Sequence, residues 1–320
     1  MKISLIEPLN VPKATIDRLS AGLTDKGHVF EYYSDKTTDE NELLERSRDS
    51  DIVMIANNPM PGSVISKCEN LKMLDVAFTG VDHVGLDIIK EKNIVLCNAA
   101  GYSDISVSEL AVGLVLDLYR NISAGDKAIR CGGTLGGNSL MGTEISGKTV
   151  GIVGTGRIGT MTARLFLAFG AKVIAYSRTE RADVKAMGVE YVSLDSLMKE
   201  ADIVSLHVPN IPETRGLIGD EKLRMMKSSA ILVNCARGPI VDNAALADVL
   251  NEGVIAGAGI DVFDMEPPIP EDYELLGARN AILTPHVAYA THESMERRAE
   301  IAFDNVYRYL EGNPVNVVEV

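Results

Sequence analysis

One stretch constrains the fold of this chain more than any other. Val150-Gly151-Ile152-Val153-Gly154-Thr155-Gly156-Arg157-Ile158-Gly159 is an apolar strand running straight into G-x-G-x-x-G. Met161, Leu165 and Ala168 then continue at helical spacing. In a strand–turn–helix context each glycine has its own use. Gly154 allows the tight turn, Gly156 lets backbone approach a pyrophosphate, and Gly159 lets the helix pack on the strand. The helix N-terminus presents unpaired N–H groups and the positive end of its dipole to phosphate. The segment therefore predicts a doubly wound α/β domain that holds a dinucleotide through Gly154, Thr155, Gly156, Arg157, Ile158 and Gly159.

The rest of the chain agrees with that architecture. Short β-branched runs alternate with helix-period segments from end to end, the pattern of parallel sheets with crossover helices. Strands are expected at 3–6, 29–32, 52–56, 73–77 and 94–97, with helices at 11–23, 40–46 and 86–92 between them, which makes one complete α/β lobe. A second series has strands at 149–153, 172–176, 189–192, 202–206, 230–234, 255–260 and 281–284. The 320 residues, 46% of them hydrophobic, suffice to fill two cores. The expected domains are 1–100 with 291–320, and 101–290. The last helix, expected over 294–310, returns to the first lobe and stops at Gly312-Asn313-Pro314. The crossings near Gly101 and Tyr289 read as hinges that close the lobes and exclude water.

A long helix is expected from about Ser103, where Val107, Leu110, Ala111, Leu114, Val115 and Leu118 form an apolar stripe. Val112 and Leu116 make its other side apolar too, and Gly113 permits close approach, so a homodimer contact is expected there. Residues 132–138 are glycine-rich and read as loop.

Composition removes several classes of function. A net charge of −14, with no broad basic stripe, is poorly suited to nucleic acid. The longest apolar run, 110–116, is too short to span a bilayer, and the N-terminal residues read as a strand rather than a signal peptide. Cys68, Cys97, Cys131 and Cys235 have no regular spacing, which favours free thiols in a reducing compartment over disulfides or zinc. A cytoplasmic protein with no metal is expected.

Dinucleotide choice is read at the end of the next strand. An acidic residue there would bind the adenosine ribose diol and mark NAD. The strand at 172–176 is followed instead by Ser177-Arg178-Thr179: two hydroxyls and a guanidinium, suited to a 2′-phosphate. NADP(H) is expected. Arg178 as a solvated surface charge is the alternative, and Glu180 close by favours that alternative.

Three strand ends in the last third carry chemistry-bearing residues: Arg237 in Asn234-Cys235-Ala236-Arg237-Gly238-Pro239, Glu266 in Asp261-Val262-Phe263-Asp264-Met265-Glu266-Pro267-Pro268, and His286 in Thr284-Pro285-His286. Ligands of open α/β sheets gather at such edges. Taken in order with the glycine loop and with His207-Val208-Pro209-Asn210-Ile211-Pro212-Glu213-Thr214-Arg215, the set resembles the D-isomer-specific 2-hydroxyacid dehydrogenase family over essentially the whole chain. The resemblance implies a Rossmann cofactor domain beside a flavodoxin-like substrate domain, and hydride transfer between a nicotinamide cofactor and a 2-hydroxy acid/2-oxo acid pair.

By that resemblance Arg237 supplies a cation for the substrate carboxylate and carbonyl, His286 is the acid/base, and Glu266 hydrogen-bonds the other imidazole nitrogen and fixes its tautomer. Formate dehydrogenases of the family carry Gln at this last point, so Glu266 argues against formate. Gly80 and Val81, in Thr79-Gly80-Val81-Asp82, correspond to backbone N–H groups that hold the substrate carboxylate. Asp261 matches the residue at the nicotinamide carboxamide, with Cys235 and Ala236 beside the ring, while His207, Pro209 and Thr214 line the cofactor cleft. Tyr102 falls where D-lactate-type members contact substrate, and Tyr289 where relatives cover the pocket; both read equally as helix-start or core aromatics. The chain departs from the family pattern in its Gly-rich loop 132–137, which lacks the Trp that many members have there; the chain has no Trp at all. A glyoxylate/hydroxypyruvate-type reductase is the first expectation, an NAD-dependent D-lactate-type enzyme the second, and a nucleotide-sensing corepressor-like binding protein the alternative from another class.

Overall fold

The computed structural model describes residues 1–134 and 140–320, so 135–138 of the glycine-rich stretch lie outside the described residues. The chain forms two units: Met1–Ser103 with Ala290–Val320, and Asp104–Tyr289.

The first unit is built on β1 (Lys2–Leu5), β2 (Val29–Tyr32), β3 (Ile52–Ile55), β4 (Met73–Val76) and β5 (Val95–Asn98). The helices α1 (Lys13–Asp25), α2 (Glu40–Ser47), α3 (Gly62–Ile65) and α4 (Leu86–Glu91) connect them. All pairings are parallel, in the order β2-β1-β3-β4-β5. Strands β3 and β4 are buried throughout, as expected of parallel strands covered on both faces.

The second unit opens with α5 (Asp104–Arg120) and α6 (Ile122–Arg130). It continues through β6 (Thr149–Val153), α7 (Arg157–Ala168), β7 (Lys172–Tyr176), α8 (Ala182–Ala186), β8 (Glu190–Tyr191), α9 (Leu194–Glu200) and β9 (Ile203–Leu206). The series ends with α10 (Asp220–Arg224), β10 (Ile231–Asn234), α11 (Asn243–Glu252), β11 (Gly257–Ile260) and β12 (Ala281–Leu283). The last helix, α12 (His292–Leu310), belongs to the first unit. Seven parallel strands run in the order β12-β11-β10-β9-β6-β7-β8, so the winding reverses between β6 and β9. A doubly wound sheet binds its ligand at that reversal, and the loop after β6 is the glycine loop. The α/β class and both parallel sheets are as the alternation predicts.

Two features differ from expectation. Most of the apolar surface of α5 is covered inside its own unit, by α7 and by β10 and β11. Gly259 of β11 makes this possible: a Cβ there would stand 2.8 Å from that of Leu114. Much of the apolar pattern is thus that of an interior helix, while Leu110, Leu116 and Leu118 stay half-buried and Gly113 faces open space. The helix α6 has no counterpart among the expected elements; none of its residues is buried, and its Ile122 and Ile129, seven residues apart, are exposed. Among the described residues no helix is long and apolar enough to cross a membrane.

Candidate active site

The glycine loop is shaped by close approach. Gly154 takes φ +97°, and a Cβ on it would lie 2.5 Å from the carbonyl oxygen of His207. A Cβ on Gly159 would lie 1.9 Å from the oxygen of Gly154, so helix and loop can meet only through hydrogen. Gly156, by contrast, faces open space at the N-terminus of α7, where a Cβ would occupy the approach. The N–H groups of Thr155 and Gly156 have no acceptor among the described residues, and those of Arg157 and Ile158 belong to the first helical turn, which leaves them without intrahelical partners. These four donors, with the helix dipole, fit a pyrophosphate.

Side chains around the loop are engaged within the protein. Thr155 is buried and its hydroxyl meets the Tyr191 phenol at 2.8 Å, while Arg157 pairs with Asp104 at 2.7 Å. His207 hydrogen-bonds Ser205 at 2.9 Å, and burial pushes its imidazole down to about 3, so it stays neutral beneath the loop. Thr214 turns inward onto the Pro209 carbonyl at 2.5 Å and accepts from the Ile211 N–H at 3.0 Å, which closes the loop after β9 on itself.

Past the end of β7, Arg178 and Thr179 are exposed and Ser177 is half-buried; Arg178 makes no hydrogen bond or ion pair among the described residues. Glu180 is held by Lys185 at 2.5 Å, and Arg181 is clamped by Asp183 at 2.6 Å and 3.0 Å.

Sheet order explains how the three chemical residues come together. Arg237, Glu266 and His286 follow β10, β11 and β12, which lie side by side. The Asn234 amide braces the turn that carries Arg237, donating to the Arg237 carbonyl at 2.9 Å and accepting the Ala236 N–H at 3.0 Å. Cys235 is buried next to it, its thiol pushed well up by desolvation and by Asp261, which makes it inert. Nδ1 of His286 lies 2.9 Å and 2.8 Å from the two carboxylate oxygens of Glu266. The Glu266 side chain is 71% exposed and that of His286 18%. The Tyr289 ring stands edge-on to the imidazole, 5.5 Å between centroids at 89°.

His286 has φ +53°, a left-handed conformation that a side chain of this size adopts only when held there. Asp261 holds it. The fully buried carboxylate of Asp261 accepts from the Thr284 hydroxyl at 2.6 Å and from the N–H groups of Val287 and Ala288 at 2.9 Å each. Its carbonyl oxygen takes the His286 N–H at 2.8 Å. Burial raises the Asp261 pKa while these donors oppose the rise. The resemblance expects this carboxylate at the nicotinamide carboxamide; as placed, it anchors the histidine loop. Asn234 and Thr284 join the site as supporting residues that the sequence reading does not single out, although both sit inside motifs it quotes.

In the other unit, Gly80 and Val81 follow β4 in a half-buried loop, and neither N–H has an acceptor among the described residues. Tyr102 is 1% exposed, its ring 5.8 Å from that of Phe78 and 5.9 Å from the Arg298 guanidinium. As placed it is a buried aromatic.

The model of the "D-isomer specific 2-hydroxyacid dehydrogenase, NAD binding domain" family matches residues 112–288. A hydroxypyruvate reductase of Blautia hydrogenotrophica is 36% identical over 93% of this chain and 94% of its own length. A glyoxylate reductase of Thermofilum pendens is 39% identical over 85% of this chain and 81% of its own. Among solved structures, an acyclic imino acid reductase (Bsp5) in complex with NADPH and D-Arg superposes with a TM-score of 0.89 at 30% identity, covering all of both chains.

Proposed function

The chain belongs to the D-isomer specific 2-hydroxyacid dehydrogenase family, and from that membership we propose that it reduces a small 2-oxo acid to the D-2-hydroxy acid with NADP(H). Glyoxylate or hydroxypyruvate is the first substrate class, supported by the names of the Blautia and Thermofilum relatives.

The observation that carries this reading is the His286–Glu266 pair, with both carboxylate oxygens within 2.9 Å of Nδ1. A carboxylate on Nδ1 fixes that nitrogen as the N–H donor and leaves Nε2 to exchange a proton with substrate. In the reducing direction Nε2 gives its proton to the oxygen of the former carbonyl, and the imidazole is left neutral with its Nδ1–H on Glu266. In the oxidising direction Nε2 takes the hydroxyl proton. Arg237 supplies the fixed positive charge for the carboxylate and the polarised carbonyl. The N–H groups of Gly80 and Val81, which meet no acceptor among the described residues, are the proposed partners of the substrate carboxylate. That makes the Met1–Ser103/Ala290–Val320 unit the substrate-binding one.

The nicotinamide cofactor supplies the hydride when bound. Thr155, Gly156, Arg157 and Ile158 would hold its pyrophosphate by backbone N–H groups, and the Cys235–Ala236 backbone would lie beside the ring. NADP(H) over NAD(H) is supported by the Arg178 guanidinium, which stands between two hydroxyls and is unpaired among the described residues. The engagement of Glu180 with Lys185, which takes its charge away from that site, supports it too. We also read the protein as a cytoplasmic homodimer, supported by the exposed Ile122 and Ile129 of α6; sedimentation at equilibrium would test it.

A matrix of initial rates tests the central reading: NADPH or NADH in turn with glyoxylate, hydroxypyruvate, pyruvate and phenylpyruvate, followed by nicotinamide absorbance. Turnover of glyoxylate or hydroxypyruvate with a preference for NADPH is expected. A preference for NADH would overturn the reading of Ser177-Arg178-Thr179, and cofactor binding without turnover would favour a nucleotide-sensing binding protein.

A further inference from the structure

We infer that Tyr191 is a positioning residue for the cofactor, tying the phosphate-binding glycine loop to the segment that chooses between NADP(H) and NAD(H). This rests on the reading above that those two segments hold a nicotinamide dinucleotide. Tyr191 comes from β8, the two-residue edge strand, where it pairs with Ala175 of β7. Its phenol oxygen lies 2.8 Å from the Thr155 hydroxyl and accepts the backbone N–H of Arg181 at 3.1 Å. An oxygen that accepts from Arg181 keeps its own proton to donate, and the Thr155 oxygen is the acceptor in reach.

One hydroxyl thus joins the second residue of the G-x-G turn to the chain four residues past Ser177. A second link runs parallel to it, from Arg181 Nη1 to the Thr155 carbonyl at 3.5 Å. Farther along the chain, the Lys185 ammonium stands 5.8 Å from the ring centroid and holds Glu180. Removing the phenol oxygen leaves the ring to pack as before, but frees the Thr155 hydroxyl and the Arg181 N–H together. The Arg181 Nη1–Thr155 carbonyl link and the Gly154 N–H bond to the Tyr176 carbonyl remain, so the glycine-loop donors stay beside Arg178 but are held there less tightly.

The pyrophosphate is common to both cofactors and the 2′-phosphate is not, so losing the link weakens NADPH more than NADH. For Tyr191→Phe the dissociation constant and KM for NADPH rise about tenfold and those for NADH about threefold, the scale set by two lost hydrogen bonds. The kcat at saturating cofactor stays within about twofold, because Arg237, Glu266 and His286 are untouched. Binding is read from the fluorescence of the reduced nicotinamide, which is free of indole overlap because the chain has no Trp. Thr155→Val reproduces the loss, and the double variant adds little to either single change. Unchanged constants for both cofactors in Tyr191→Phe, a fall in kcat at constant KM, or full additivity with Thr155→Val would overturn the inference. Wild-type protein that binds neither cofactor would instead overturn the reading beneath it.

Discussion

Replacing Asp261 by Asn isolates what holds His286 in place. The carboxylate serves three donors: the Thr284 hydroxyl and the Val287 N–H on one oxygen, and the Ala288 N–H on the other. Asn can keep its oxygen on the first two, which leaves its NH2 facing the Ala288 N–H, donor against donor. Losing one charge-assisted bond and leaving a buried N–H unsatisfied costs about 2 kcal/mol. The same loop holds His286 at φ +53°, a conformation that itself costs on the order of 1 kcal/mol or more. The loop therefore has an incentive to relax once its anchor weakens, and relaxation withdraws the imidazole from Glu266. If the whole of that roughly 2 kcal/mol falls on the population of the competent loop, kcat drops about 30-fold. If it falls on global unfolding, the melting temperature drops by roughly 4–8 °C. Initial rates at saturating substrate and a thermal melt on the same preparation separate the two. Wild-type kcat and wild-type melting together would refute the anchoring argument. A rise in cofactor KM with kcat intact would return Asp261 to the nicotinamide side, where the family resemblance puts it.

Other changes separate chemistry from scaffold. His286→Asn keeps a residue that tolerates positive φ and removes the proton donor, so kcat should fall by about 10²–10⁴ with the melting temperature unmoved; an activity near wild type would remove His286 from the mechanism. Arg178→Ala should raise the KM for NADPH about tenfold and leave NADH alone, since the side chain is exposed and unpaired among the described residues; equal effects on both cofactors would count against a 2′-phosphate contact. Asp75 gives a pH test of the Met1–Ser103/Ala290–Val320 unit. Its carboxyl is fully buried in β4, takes one hydrogen bond from Asn305 at 2.7 Å, and is pushed by desolvation to about 8 from an ordinary 3.8. The native state thus keeps a proton that the unfolded chain releases, so the contribution of Asp75 to stability is fully present below about pH 4 and is lost as pH rises toward 8. Asp75→Asn should flatten that slope and stabilise the fold at pH 7 by several kcal/mol, up to about 4; thermal melts from pH 5 to 8 that stay parallel for the two proteins would show that Asp75 is ionised in the fold.

What can be read from the chain depends on whether the signal is local. The strands at 29–32, 149–153 and 172–176 are found where their β-branched runs put them, because an apolar run bounded by turn residues is a local pattern. The expected strand at 189–192 shrinks to two residues, since it lies at the sheet edge with one neighbour to set its length. The exposed helix α6 carries no core-facing stripe to find. In the site, the glycine loop and the order Arg237, Glu266, His286 are legible because each sits in a short motif. The anchoring of His286 is not. It depends on the β11–β12 register, in which Ile260 faces Leu283 and so brings Asp261 level with Thr284. Tyr191 is hidden for the same reason: only the pairing of β8 with β7 carries it to Thr155 and Arg181.

These cross-strand links show how the fold divides its labour. The strands set the order in which loops emerge, so Arg237, Glu266 and His286, 29 and 20 residues apart along the chain, arrive on three neighbouring strand ends. Strand order alone does not aim an imidazole. Aim comes from polar groups one step behind the ones proposed to react or bind: Asn234 behind Arg237, Asp261 behind His286, Tyr191 behind the glycine loop. Each has its hydrogen bonds within the protein, and two of the three are fully buried, the condition under which such bonds hold a unique geometry. On the proposed function, substitutions at Arg178, Gly80 or Val81 therefore retune what is bound, whereas substitutions at Asn234 or Asp261 loosen the site for every ligand alike.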